Sequence, residues 1–186
     1  YPGNPSQLRK TIEGYLENAS PPDFPGEVVA LVAPHAGYRY SGHVAAHAFK
    51  TVQERVFTKV LVISPMHQYH PQPILTSAHQ AYRTPLGDLP LDREKLEEIS
   101  SMLQERAGQT LQDEDCLMVA STDLSHFYTE NQANRLDGRV INALTEFSPE
   151  GLFDLKQRGE GQACGLAPMA AVLWSAQKMG ADRATL

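Results

Sequence analysis

"EVVALVAPHAGYRYSGHVAAHAFK", residues 27–50, decides the fold. Its first part, 27–37, is a continuous apolar run ending in Pro and Gly, the pattern of a strand buried on both faces. From Ser41 the chain reads as a helix over 41–56, with Ser41 as candidate N-cap. A buried strand feeding directly into a helix is the repeating unit of an α/β sheet. Between the two stand His35, Tyr38 and Tyr40. A plain turn has no need of an imidazole, so this strand exit is a candidate site.

The same punctuation recurs along the chain. "TKVLVISPMH" (58–67) and "DCLMVASTDLSHF" (115–127) are further apolar runs that end in polar residues including a histidine. Amphipathic or apolar helical patterns surround them at 4–19, 92–107, 129–147, 149–158 and within 162–181. Asn4 or Ser6 is the candidate cap of the first. The stripe of 92–107 is poor. "PILTSAHQAYRTPLGDL" (73–89) reads as two short strands around a turn. The expected fold is therefore α/β, a mixed, largely parallel sheet with helices on both faces, in a single domain over 1–186.

Ligands of such folds bind beyond the carboxyl ends of the strands. His35, His67 and His126 each follow a predicted strand, so three histidines can converge on one rim. The residue before His35 is Pro34, and Pro65 lies two before His67; both stiffen the exits. Rigid neutral imidazoles suit a metal ion. Cys164 lies in "QACGLAPM", just before a helix, where backbone amides favour a thiolate. A small buried hydrophobe is its competing role. His35, His67 and Cys164 together make an N₂S set suited to iron(II), copper(I) or zinc, with room for a further ligand. Asp123 precedes His126 by three residues, as a carboxylate orienting an acid/base histidine does; capping of a following helix competes for Asp123 and Ser125.

Other features carry less. His43 and His47 are four apart on one helix, but no HExxH is present. Cys116 opens an apolar strand and reads as core. No P-loop, GxGxxG or GxSxG occurs, which removes nucleotide binding and serine hydrolysis as leading functions. The 186 residues contain 41% hydrophobic and 20% charged residues with a formal charge of −6, ordinary for a globular domain and unsuited to nucleic acid or anionic membrane. No apolar run approaches the ~20 residues of a membrane span. Two distant cysteines favour a reducing cytoplasm.

The blocks "PHAGYRYSGHVAAHAFK", "VISPMH", "STDLSHFY" and "ACGLAPM", in this order, resemble the Memo family, also called AmmeMemoRadiSam system protein B. "YPGNPSQLRKTIEGYL" resembles that family's usual beginning. The resemblance implies a fold similar to class III, non-haem iron extradiol dioxygenases, with His35, His67 and Cys164 at the metal-site positions. In those dioxygenases a carboxylate takes the third place. The resemblance also implies that His126 stands where they keep an acid/base histidine, with Asp123 as a further pocket residue. Tyr38 and Tyr40 match the tyrosines beside the first ligand. Ser64 replaces the Gly that usually precedes the proline of the second ligand block.

Two further departures stand out. An acidic, histidine-containing block expected between Leu89 and Cys116 is absent, as is the family's C-terminal strand region beyond Leu186. The expectation is that both termini and an internal segment near 99–101 are missing. The leading functional expectation is a cytoplasmic metal-binding protein with a redox or oxygen-related role, dioxygenase-like if it is an enzyme. A small organic substrate or a peptide would enter the pocket. A radical SAM protein and a companion of the same system are the expected partners. The alternative is a non-catalytic adaptor or metal carrier; a zinc hydrolase ranks third.

Overall fold

The computed structural model describes residues 1–72, 74–104 and 116–186, with side chains at 102–104 left aside. Helix α1 (Pro5–Asn18) opens with Asn4 as N-cap, whose side chain accepts from the Gln7 amide at 3.0 Å, and Pro5 in its first turn. Strand β1 (Ala30–Ala33) is shorter than the apolar run that contains it and stops before Pro34. Helix α2 (Tyr38–Lys50) begins three residues before the expected start. Gly37 is its N-cap, and Ser41 lies in the first turn with its hydroxyl donating to Ala36 O at 3.0 Å. The tight Pro-His-Ala-Gly exit leaves no room for a longer connection, so the helix starts as soon as the strand is left.

Strand β2 (Lys59–Ile63) is followed by a hairpin, β3 (Ala81–Thr84) and β4 (Gly87–Pro90), and by α3 (Arg93–Gln104). Gly87 sits at φ +130 where the hairpin turns, a conformation suited to glycine. The remaining elements are β5 (Cys116–Ser121), α4 (Glu130–Thr145), α5 (Pro149–Arg158) and α6 (Leu166–Lys178). Residues 99–101, where a break in the chain was expected, lie within α3; residues 105–115 are outside the described residues.

Among the described residues the main sheet has the order β1-β5-β2 and is wholly parallel. The hairpin pairs only within itself, so the antiparallel pair expected to make the sheet mixed forms a separate two-stranded sheet. The α/β class holds: a parallel sheet with helices on both faces. Side chains of β5 alternate between two cores. Met118 and Ala120 face Val140 and Ala143 of α4, Leu152 of α5 and the inner side of α6. Leu117 and Val119 face the other way with Leu31 of β1, toward Ala48 of α2 and Val52 just beyond it.

Leu152, Met169, Val140 and Val172 are fully buried, and each contributes about 1.5–3 kcal/mol by leaving water. Helix α6 buries seven of its residues, which explains its Ala- and Met-rich composition. Strand β2 is different: Val60 and Val62, in register with Leu117 and Val119, stay more than half exposed. Helix α3 is tied near β2 by Lys59 and Asp92, 3.3 Å apart.

Candidate metal centre

Parallel pairing brings the C-terminal ends of β1, β5 and β2 to one edge of the sheet. His35 follows β1 by two residues, His67 follows β2 by four, and Asp123 follows β5 by two. Cys164 joins them from the loop preceding α6. The side-chain donor atoms of His35, His67 and Cys164 all lie within 4.8 Å of one another. The two imidazoles meet edge to face, with centroids 5.1 Å apart and planes at 82°. His35 and Cys164 are half-buried, whereas His67 is exposed.

His35 Nε2 lies 3.5 Å from Cys164 Sγ. Bonds of about 2.1 Å to nitrogen and about 2.3 Å to sulfur, at a tetrahedral angle, put such ligand atoms about 3.5–3.6 Å apart. The N₂S donor set and the His35–Cys164 spacing would suit one transition-metal ion.

The β5 exit organises both His35 and Cys164. Asp123 Oδ1 accepts from the amides of His35 (3.0 Å) and Ala36 (3.3 Å), and its Oδ2 lies 3.5 Å from His35 Nε2. Its carboxylate is therefore engaged with the β1 exit. His126, which the sequence pattern paired with it, is exposed and meets Phe127 edge to face. Phe127 itself has φ +64, uncommon for a side-chain-bearing residue, and is fully exposed. Helix capping does not claim Asp123 either: α4 is capped by Thr129, whose N–H and hydroxyl both donate to Gln132 Oε1. Ser125 is held differently, its amide donating to Asp137 Oδ1 at 2.9 Å.

Cys164 is held by Asp123 and Thr122 at the end of β5. Its amide donates to Asp123 O (3.2 Å), and its Sγ accepts from the Asp123 amide (3.2 Å). Thr122 Oγ1 lies 3.8 Å from the sulfur, and the same oxygen accepts from the Gly165 amide at 2.8 Å. A β-carbon on Gly165 would stand 2.5 Å from Thr122 Cβ and 2.7 Å from Ser121 O. Only glycine lets the start of α6 approach β5 this closely, and that approach delivers the sulfur. The amide hydrogen bond to sulfur fixes where Sγ stands beside His35.

Two residues of this arrangement lie outside the candidate set read from sequence. Ser121 Oγ is 2.9 Å from His35 Nδ1, and Thr122 is the one buried polar residue in the described core. Both belong to the "STD" that ends β5; polar residues closing an apolar strand are the signal that marks them.

Tyr38 and Tyr40 line a cavity of about 400 Å³ together with Tyr1, Tyr15, Gly37 and Arg39. Tyr15 donates its hydroxyl to Tyr38 O at 2.9 Å. Burial, with Tyr1 nearby, pushes the Tyr38 phenol above its ordinary pKa. Gly37 connects this cavity to the His35 loop; Ser64 is exposed after β2 and does not line it. His43 and His47 are exposed on α2, joined by a bond between His47 Nδ1 and His43 O, and stand apart from the donor cluster. Cys116 and Cys164 are both half-buried. No helix among the described residues is long and apolar enough to cross a membrane.

Comparison with known proteins bears on the family. The family model described as Memo-like protein matches residues 1–107 and 95–186. A MEMO1 family protein of Methanopyrus kandleri is 26% identical over 245 residues, covering 100% of this chain and 87% of its own length. A MEMO1 family protein of Methanosarcina acetivorans is 29% identical over 209 residues, covering 86% and 77%. Protein MEMO1 of Danio rerio is 35% identical over 116 residues, which is 61% of this chain and 38% of that protein. With the model spanning both halves and the archaeal relatives aligned across most or all of its length, the chain belongs to the Memo-like protein family.

Proposed function

We propose that this chain binds one transition-metal ion through His35, His67 and Cys164 and serves a redox or oxygen-related role there. The observation that carries it is the gathering of these three donor atoms within 4.8 Å from three separate parts of the chain. A thiolate with two imidazoles selects iron(II), copper(I) or zinc over magnesium or calcium. Iron(II) or copper(I), when bound, would supply one-electron redox chemistry.

The protein's own part is positioning and proton handling. Asp123 holds the His35 loop through two amides and places a negative charge beside the imidazole. His126, exposed on the β5 exit, is the proton donor or acceptor for a bound molecule. Tyr38 and Tyr40 form a wall for a small organic substrate or a peptide, and Ser64, outside that cavity, is exposed at the second ligand's exit. The aromatic cavity and the exposed His67 also favour a second reading, a metal carrier or adaptor that receives a partner's peptide in the same pocket.

The test is metal content after anaerobic purification without added metal, beside His35→Ala and Cys164→Ala. Near-stoichiometric iron or copper in the parent, lost in both folded variants, is the expected result. Absence of tight uptake of iron(II), copper(I) and zinc by the parent would refute the metal site. Oxygen consumption by the loaded protein then separates an enzyme from a carrier, which binds without turnover.

A further inference from the structure

An imidazole that binds a metal through one nitrogen must carry its proton on the other, and a neighbour of that other nitrogen decides the tautomer. For His35 the two sides of the ring have different surroundings. Nδ1 has Ser121 Oγ at 2.9 Å, a full hydrogen-bond length. Nε2 has Cys164 Sγ and Asp123 Oδ2, each at 3.5 Å. A proton on Nε2 would point at the thiol sulfur and the carboxylate and occupy the lone pair that a metal needs. A proton on Nδ1 is accepted by the serine hydroxyl and leaves Nε2 bare.

Resting on the metal-site assignment above, we infer that Ser121 is the positioning residue of His35. Its hydroxyl accepts the Nδ1 proton and turns the free Nε2 lone pair toward Cys164 Sγ and the ion. The position of Ser121 suits this role. It is the last residue of β5, the middle strand, paired with Ala33 of β1. The strand register therefore sets its side chain beside the ring that leaves β1 two residues later. Asp123 holds the same loop through the His35 amide. The main chain of His35 is thus fixed by one residue of the β5 exit and its ring by another.

Outer-shell partners of ligating histidines typically change metal affinity by about 10- to 100-fold when removed. The experiment uses ¹⁵N-histidine-labelled protein without metal, as wild type, Ser121→Ala and Ser121→Thr. Ring nitrogen shifts of His35 are read under conditions where the ring is neutral. Zinc affinity of the same samples is measured by competition with a chelating dye, and folding by circular dichroism.

The expected result is an Nδ1-protonated His35 in the wild type and an Nε2-protonated ring in Ser121→Ala. Zinc binding of that variant weakens about 10- to 100-fold, and threonine, which keeps the hydroxyl, restores both properties. Nε2 protonation in the wild type overturns the inference. So does a Ser121→Ala protein that keeps the wild-type tautomer, or one whose tautomer moves while its zinc affinity does not. Should the alanine variant not fold, the wild-type tautomer and its retention in Ser121→Thr decide. A wild type that takes up no metal removes the metal assignment and with it the stated purpose of Ser121. The nitrogen shifts still report whether the hydroxyl sets the tautomer, so the two failures are distinct.

Discussion

Cys164 Sγ and His35 Nε2 lie 3.5 Å apart although 129 residues separate them in the chain. They meet because β1 and β5 are paired in parallel and α6 starts against the end of β5 through the Gly165–Thr122 contact. The site is thus a product of sheet register and one close helix approach.

In the proposed donor set the sulfur is the atom that would select the metal. Replacing it by oxygen in Cys164→Ser keeps size and shape but removes the soft donor. Copper(I) and zinc affinity should fall by more than about 100-fold, beyond the loss expected for an outer-shell change, with little effect on unfolding temperature. Competition titration beside a thermal melt checks this. A serine variant that binds copper(I) as tightly as the parent would remove the cysteine from the ligand set.

Gly165→Ala should harm both stability and the site. The added carbon would meet Thr122 Cβ at 2.5 Å and backbone Ser121 O at 2.7 Å, neither of which can swing aside like a long side chain. Overpacking of this kind costs about 1–3 kcal/mol. Urea unfolding should register the loss, and metal affinity should fall with it because Cys164 moves. Unchanged stability would mean that α6 can slide along β5 without cost.

Asp123 has two separable functions, and two substitutions divide them. Asp123→Asn keeps an acceptor for the His35 and Ala36 amides but removes the charge beside Nε2. Asp123→Ala removes both and leaves two part-buried amides unpaired, which costs about 1–3 kcal/mol. Chemical denaturation should therefore separate alanine from asparagine, whereas metal affinity should fall in both. Equal stability of the two variants would argue against the amide-holding role.

Asp92 makes the attachment of α3 sensitive to acid. The Lys95 amide donates to Asp92 Oδ1 at 3.0 Å, and Lys59 lies 3.3 Å from Oδ2. The amide bond first, and Lys59 second, hold this carboxyl below its ordinary pKa. Its contribution is fully present above the ordinary aspartate value and is lost as pH falls through the lowered one. Hydrogen exchange of the first α3 turn should accelerate at neutral pH in Asp92→Asn and should match the parent only under acid conditions. Identical exchange at neutral pH would show that α3 does not depend on the Asp92 charge.

Much of the site was legible before folding because strand exits announce themselves. His35, His67 and Cys164 each stand where an apolar run ends or a helix begins, beside Pro or Gly, and the three do converge. Ser121 and Thr122 were not singled out, since a serine or threonine at a strand end is commonplace. Their roles exist only through partners 86 and 42 residues away. Asp123 was singled out as the carboxylate orienting His126, but its contacts with His35 and Ala36 arise from a strand pairing that sequence spacing does not report.

Hydrophobic periodicity by itself determined which segments are strands and helices and the α/β class, because burial leaves its trace residue by residue; the polar residues at strand exits marked the candidate donors. Only the tertiary structure decided that β5 lies between β1 and β2, that the hairpin stands apart from the parallel sheet, and that Asp123 serves His35. The physical reason is that an apolar run records that it is buried but not beside which strand. A hydrogen bond between residues far apart in sequence depends on that choice of neighbour.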